Sequence, residues 1–166
     1  ANGPGTAEML LAGIRRVLGG EFPLIISTEK NMPTSMTAFG VTMTGLCAPG
    51  RLLAGGARSG DALYCAGLPL VGPETLREGA RLFDARHLRA LLESGRVHAL
   101  IPVGSHGVAA EARVLAEESG LAARLDDRTG IDIQKSAGPS SCAVFAAESG
   151  WHADIGLPVF RIGTLR

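Results

Sequence analysis

The spacing of apolar positions changes several times along this chain, and each change marks an element. From Thr6 the spacing is helical: Leu10, Ile14, Val17 and Leu18 fall on one face, and Thr6 stands where a capping side chain belongs. Glu8 suits the positive end of the helix dipole, and Gly19-Gly20 closes the helix. Leu24, Ile25 and Ile26 form a short apolar run that predicts a buried strand. Period-two alternation then predicts a second strand over Ala38 to Leu46, with Phe39, Val41 and Met43 on a core face and Thr42 and Thr44 on a wet or ligand-facing one. Between these runs lies the densest polar cluster of the chain, Ser27, Thr28, Glu29, Lys30 and Asn31, followed by Thr34, Ser35 and Thr37.

The second part of the chain alternates strands and helices. After a short apolar stretch from Arg51 to Ala57, Arg58-Ser59-Gly60-Asp61 reads as a turn feeding a strand, Ala62 to Ala66, and Gly67 to Gly72 as a loop. Pro73 suits the first position of a helix whose face continues through Leu76, Ala80 and Phe83. Asp84 caps a second helical piece through Leu92, closed by Gly95. Val97 to Val103 predicts a strand that runs into Gly104-Ser105-His106-Gly107. Val108, Ala112, Leu115 and Ala116 then form a helical stripe ending at Gly120. Ala122 to Leu125, Ile131 to Ile133 and Cys142 to Ala146 read as short strands, with Gly138-Pro139-Ser140-Ser141 as a turn before the last, and Val159 to Ile162 closes a sheet. No internal repeat is present. The succession predicts a mixed α/β (α+β) fold.

Composition narrows the class. A chain of 166 residues buries a real core and allows one domain or two small ones. Sixteen basic and sixteen acidic residues leave a formal net charge of zero, which argues against a nucleic-acid groove or an anionic membrane as partner. No apolar run approaches the roughly 20 residues of a membrane span, and no signal-peptide order opens the chain, so a cytoplasmic protein is the expectation. Lys30 and Lys135 are the two lysines among mostly Arg cations, which draws attention to Lys30 inside the polar cluster. Cys47, Cys65 and Cys142 are widely spaced, without metal-ligand spacing, and read as reduced, buried small residues.

Two stretches carry candidate chemistry. Glu29 suits a metal-bound phosphate and Lys30 its neutralisation, while Asn31, Thr34 and Thr37 offer neutral hydrogen-bonding groups for a sugar, base or phosphate. A solvated loop with a surface ion pair explains the same residues equally well. The strand, glycine turn and helix around Ser105, His106 and Gly107 offer a hydroxyl and free amides to an anion, or a plain helix cap. GSHG is not the GxSxG nucleophile elbow, and no catalytic residue is assigned. His87 and His98 read as structural or surface residues, and Asp126-Asp127 as a turn rather than a metal pair.

The helix followed by LIISTEKN, then FGVTMTGL, then LLAGGARSGDALYCAGLP, resembles the aminoimidazole ribonucleotide synthetase-related (PurM-like) superfamily, which includes thiamine monophosphate kinase, selenophosphate synthetase and a hydrogenase maturation factor. VHALIPVGSHGVAAEARVLAEESGLAARL and SAGPSSCAVFAA resemble that superfamily's second domain, and the wording STEKN and FGVTMTG is most similar to the α-ribazole kinase-like branch. The resemblance implies residues 1–60 as the remainder of an N-terminal dimerising β-barrel, ATP-binding domain, and 61–166 as a C-terminal α/β domain. It further implies a homodimer, ATP with magnesium as cofactors, and phosphoryl transfer to a small molecule. It places Glu29 as the metal-side carboxylate, Lys30 as a phosphate partner, and Thr28, Asn31 and Thr34 as polar contacts. On this reading Ser105, His106 and Gly107 are expected to form a secondary anion site. Two departures stand out. No glycine-rich segment with paired aspartates precedes Thr6, and the superfamily's aspartate-containing turn appears as Pro102 to Gly107 without a carboxylate. Both leave room for an alternative, a non-catalytic nucleotide- or metabolite-binding module.

Overall fold

The computed structural model describes residues 5–19, 23–27, 31, 35–36, 38–48 and 52–166. The chain divides into two compact units, Ala1–Leu46 and Cys47–Arg166. This division lies ahead of the 60/61 boundary expected from the sequence, and described residues between the two boundaries bond within the second unit. There Leu53 accepts from the Leu100 amide at 3.0 Å and the Gly60 amide donates to Leu165 at 3.0 Å.

In the first unit α1 spans Thr6–Leu18, as the apolar spacing predicts. Its N-cap is Gly5 rather than Thr6, and no side chain caps it; Gly19, at φ 66°, ends it. The strands expected at Leu24–Ile26 and Ala38–Leu46 do not form among the described residues, and Ile25, Phe39, Val41 and Met43 are exposed. Alternation specifies a face, but a strand is stabilised by cross-strand pairs, which the local sequence does not supply.

The second unit is built on a sheet whose central strands are buried on both faces. Strands β1 (Ala62–Ala66), β2 (Val97–Pro102), β3 (Ala123–Leu125), β4 (Ala143–Ala147) and β5 (Val159–Leu165) are ordered β2-β4-β1-β5-β3. All neighbouring pairs are antiparallel, with Tyr64 opposite Phe145 and Leu125 opposite Gly163. β1 and β4 are fully buried, and their continuous apolar runs, ALYCA and AVFAA, suit strands covered on two sides. Helix α3 (Val108–Glu118) lays Val108, Ala112, Leu115 and Ala116 against Leu63, Cys65, Val144 and Ile162 on one face. The other face carries Leu91 of α2 (Ala85–Glu93) together with Tyr64, Phe145 and Trp151. Phe145 stacks on Tyr64 at 5.2 Å and meets Trp151 edge-on at 4.9 Å. Burying the Phe145 side chain is worth about 2–3 kcal/mol, and the ring contacts add about 1 kcal/mol each.

Two sequence expectations fail here. The helix expected from Pro73 through Phe83 is a single 3-10 turn, Gly72–Leu76. Arg77 turns extended at ψ 145°, and Gly79 adopts φ 79°, which a helix does not tolerate. The chain then runs on so that the Phe83 amide reaches the Ser141 carbonyl at 3.0 Å. Ile131–Ile133 forms no strand, because Asp132 folds it into a turn by accepting from the Gln134 amide at 3.0 Å. Cys65 and Cys142 are buried free thiols as expected, whereas Cys47 is exposed. The contact with Cys142, and then burial, push the Cys65 thiol well above its ordinary value, so it stays protonated and unreactive.

Candidate functional site

Of the polar cluster singled out in the sequence, Thr28, Glu29, Lys30 and Thr34 lie outside the described residues; Asn31 is described and exposed. The second stretch is fully described. β2 ends at Pro102, and Val103 continues toward β4 by donating its amide to Cys142 at 3.0 Å. Ser105 and His106 occupy an exposed turn, and Gly107 starts α3 at φ 84° and ψ 172°. Only glycine fits at that point. A Cβ on Gly107 would lie 2.8 Å from the Gln134 carbonyl oxygen and 2.9 Å from that of Lys135.

The segment that crowds Gly107 also determines which donors remain at the helix start. Ala109 gives its amide to Ile133 at 2.8 Å, and Gly107 directs its own to the Gly104 carbonyl at 3.4 Å. Gly104 donates to the Glu111 carboxylate at 3.4 Å. What the turn presents outward is therefore Ser105 and His106, at the positive end of α3. Lys135 is tied to Glu74 at 2.7 Å, and that contact, reinforced by the Val71 amide, holds the Glu74 carboxyl below its ordinary value. Chemically the turn can offer an anion a hydroxyl, an imidazole and peptide groups, with Glu111 opposing negative charge at Gly104. Among the described residues no group of three or more His, Cys, Asp or Glu side chains is arranged to hold a metal ion. Asp126 pairs with Arg161 rather than with Asp127, in keeping with a turn.

Two polar features escaped the sequence reading. Asp61, nearly fully buried, accepts from the Arg58 amide and lies 2.8 Å from Nδ1 of His98. Ser141, completely buried, accepts from the Leu70 amide at 2.8 Å, and its single hydroxyl hydrogen lies within reach of the carbonyls of Leu68 and Leu70. The GARSGD turn signalled the position of Asp61, but nothing in the local sequence connects it to His98. No described helix is long and apolar enough to cross a membrane.

No protein-family model and no curated protein sequence matches the chain. Solved structures do resemble it. The chain is 19% identical to the hydrogenase maturation protein HypE of E. coli over 65% of this chain and 44% of that one, with a TM-score of 0.47. It is 17% identical to thiamine-monophosphate kinase from Stenotrophomonas maltophilia over 69% of this chain and 49% of that one, with a TM-score of 0.44. A structure of HypE in complex with ATP matches at 19% identity over 68% of this chain and 44% of that one, with a TM-score of 0.48. The chain spans about half the length of these proteins.

Proposed function

We propose that this chain is an ATP-binding protein of the aminoimidazole ribonucleotide synthetase-related superfamily that transfers a phosphoryl group from ATP to a small molecule. The finer reading is a nucleoside acceptor such as α-ribazole, with magnesium as cofactor and a cytoplasmic homodimer as the working form. The reading rests on the order of LIISTEKN, FGVTMTGL, LLAGGARSGDALYCAGLP and SAGPSSCAVFAA. The structural observation that supports it is the β2, Gly104–Gly107 turn and α3 succession, which leaves Ser105 and His106 outward at a helix start, where phosphate groups are favoured. In this reading Glu29 faces the metal, Lys30 the phosphates, and Thr28, Asn31 and Thr34 the nucleotide or acceptor. Ser105, His106 and Gly107 form the secondary anion site. Phosphoryl transfer depends on positioning and charge neutralisation, so the carboxylate at Glu29 is its most sensitive test.

A second reading, a nucleotide- or metabolite-binding module without catalysis, is favoured by the Pro102–Gly107 turn, which lacks the carboxylate of the superfamily's corresponding turn. Calorimetric titration of ATP with magnesium into the chain and into Glu29→Ala tests the nucleotide site. Binding that Glu29→Ala weakens supports it. No binding to the parent overturns the nucleotide reading, and equal binding by both removes Glu29 from the site. ADP release in a nucleoside screen separates the kinase from the binding module.

A further inference from the structure

Gly79 to Phe83 forms a strap without regular secondary structure between the 3-10 turn and α2, and two cavities share its residues Ala80 and Arg81. One, about 730 Å³, lies between the strap, the first turn of α2 and Ile155-Gly156; the other, about 290 Å³, is floored by Leu68, Leu70 and Pro158. Arg81 lines both. The larger is an open depression at the surface, with room for a small molecule to lie against its wall.

The charges around the larger cavity are almost all satisfied internally. Asp84 accepts from the Arg86 and His87 amides and pairs with the Arg86 guanidinium at 2.7 Å. His87 Nδ1 is taken up by Asp84, 3.0 Å from its amide nitrogen, so Nε2 is the ring nitrogen left for a ligand. Asp154 nearby accepts from the Gly156 amide. Among the described residues Arg81 makes no ion pair or hydrogen bond, so one positive charge remains at the strap. Phe83 and His87, whose ring centroids are 5.9 Å apart at 32°, line the same cavity as Arg81. A planar guanidinium sharing a cavity with aromatic rings suits a flat ligand that carries an anionic group, since the fork binds phosphate or carboxylate and the rings take the flat face.

We propose that the cavity between the Gly79–Phe83 strap and α2 binds a small aromatic molecule bearing a phosphate or carboxylate, its anion on Arg81 and its ring against Phe83 and His87. The proposal shares no residue with the Ser105–Gly107 turn and is independent of the nucleotide reading.

The test is an NMR titration of the full chain with phenyl phosphate, benzoate and inorganic phosphate, following the Phe83 ring and His87 imidazole signals. Saturable shifts of both residues by either aromatic anion at millimolar concentration are expected, and the stronger of the two identifies the anionic group. Arg81→Gln, whose amide spectrum reports that it is folded, weakens binding about tenfold or more, the equivalent of about 1.4 kcal/mol. Arg113→Gln, an exposed arginine of α3, leaves it unchanged. No saturable shift with either aromatic anion, or equal binding by Arg81→Gln, overturns the site; inorganic phosphate binding as tightly as phenyl phosphate overturns the role of the ring.

Discussion

Asp61 Oδ2 lies 2.8 Å from His98 Nδ1, although Asp61 immediately precedes β1 and His98 lies in β2, two strands separated by β4. The approach depends on a bulge. In β2, Val97 pairs with Ala147 and Ala99 with Ala146, leaving His98 as the extra residue, turned out of register. The same carboxylate oxygen accepts from the Arg58 amide at 2.8 Å, so one buried group closes the turn before β1 and anchors the outer strand β2.

Asp61→Ala is therefore expected to destabilise the second unit by about 3 kcal/mol, since it leaves a buried imidazole nitrogen and an amide without their acceptor. Asp61→Asn keeps an acceptor oxygen and costs less. Urea unfolding followed by the fluorescence of Trp151, the single tryptophan, measures both; a loss below about 1 kcal/mol for the alanine variant would show that the pair contributes little.

Ser141 gathers three chain segments at one hydroxyl. It accepts from the Leu70 amide at 2.8 Å and lies 3.0 Å, 3.1 Å and 3.4 Å from the carbonyls of Leu68, Leu70 and Ala137. Ser141→Ala leaves the Leu70 amide unsatisfied and should cost about 2 kcal/mol. Hydrogen exchange at Leu70 accelerating well beyond that of β4 amides is the local signature, and unchanged exchange there would contradict the assigned role.

Much of the second unit was legible in the chain because its signals are local. ALYCA and AVFAA are short, wholly apolar runs between turn residues, and Asp84 caps α2 with bonds that a sequence of Asp before a helical stripe implies. What was not legible depends on distant partners. The apolar spacing of Leu76, Ala80 and Phe83 mimics a helix, but Phe83 gives its amide to Ser141, a residue far along the chain. Ile131 and Ile133 look like a strand and instead form the turn that covers the start of α3. Gly104 to Gly107 does form a turn before α3, but its donors could not be ranked from the sequence, because Gly107 and Ala109 direct their amides to Gly104 and Ile133. The Phe39, Val41, Met43 alternation found no ladder among the described residues, and nothing in a single strand's pattern names its neighbour.

Gly107 and Gly120 both have positive φ, yet substitution should separate them sharply. At Gly120, φ 67°, an added Cβ meets nothing within 4 Å, so Gly120→Ala should cost about 1 kcal/mol for the left-handed backbone alone. At Gly107 the backbone is in a region reserved for glycine, and the Cβ would overlap two carbonyl oxygens. Gly107→Ala should cost about 3 kcal/mol or more. Comparable unfolding midpoints for the two variants would show that the segment Gln134-Lys135 yields easily.

Asp84 gives the chain a defined acid response. Hydrogen bonding to the Arg86 guanidinium, with the Arg86 and His87 amides and the His87 charge adding to it, lowers its carboxyl from 3.8 to about 2. A carboxyl depressed on folding contributes stability that is fully present above its unfolded value and is lost as the pH falls through its folded value. The contribution of this cap should therefore be constant above about pH 4 and disappear between about pH 4 and pH 2. Because the side chain is 38% exposed, solvent screening keeps the ion pair with Arg86 weak, and the helix-capping bonds carry most of the effect. Asp84→Ala should thus cost about 1 kcal/mol at neutral pH. Arg86→Gln should cost less, and the difference between the parent and Asp84→Ala should shrink toward zero as the pH approaches 2. Denaturant unfolding of the parent and both variants across that range measures it. A difference that stays constant down to pH 2 would place the stabilisation in packing around the Asp84 side chain rather than in its charge.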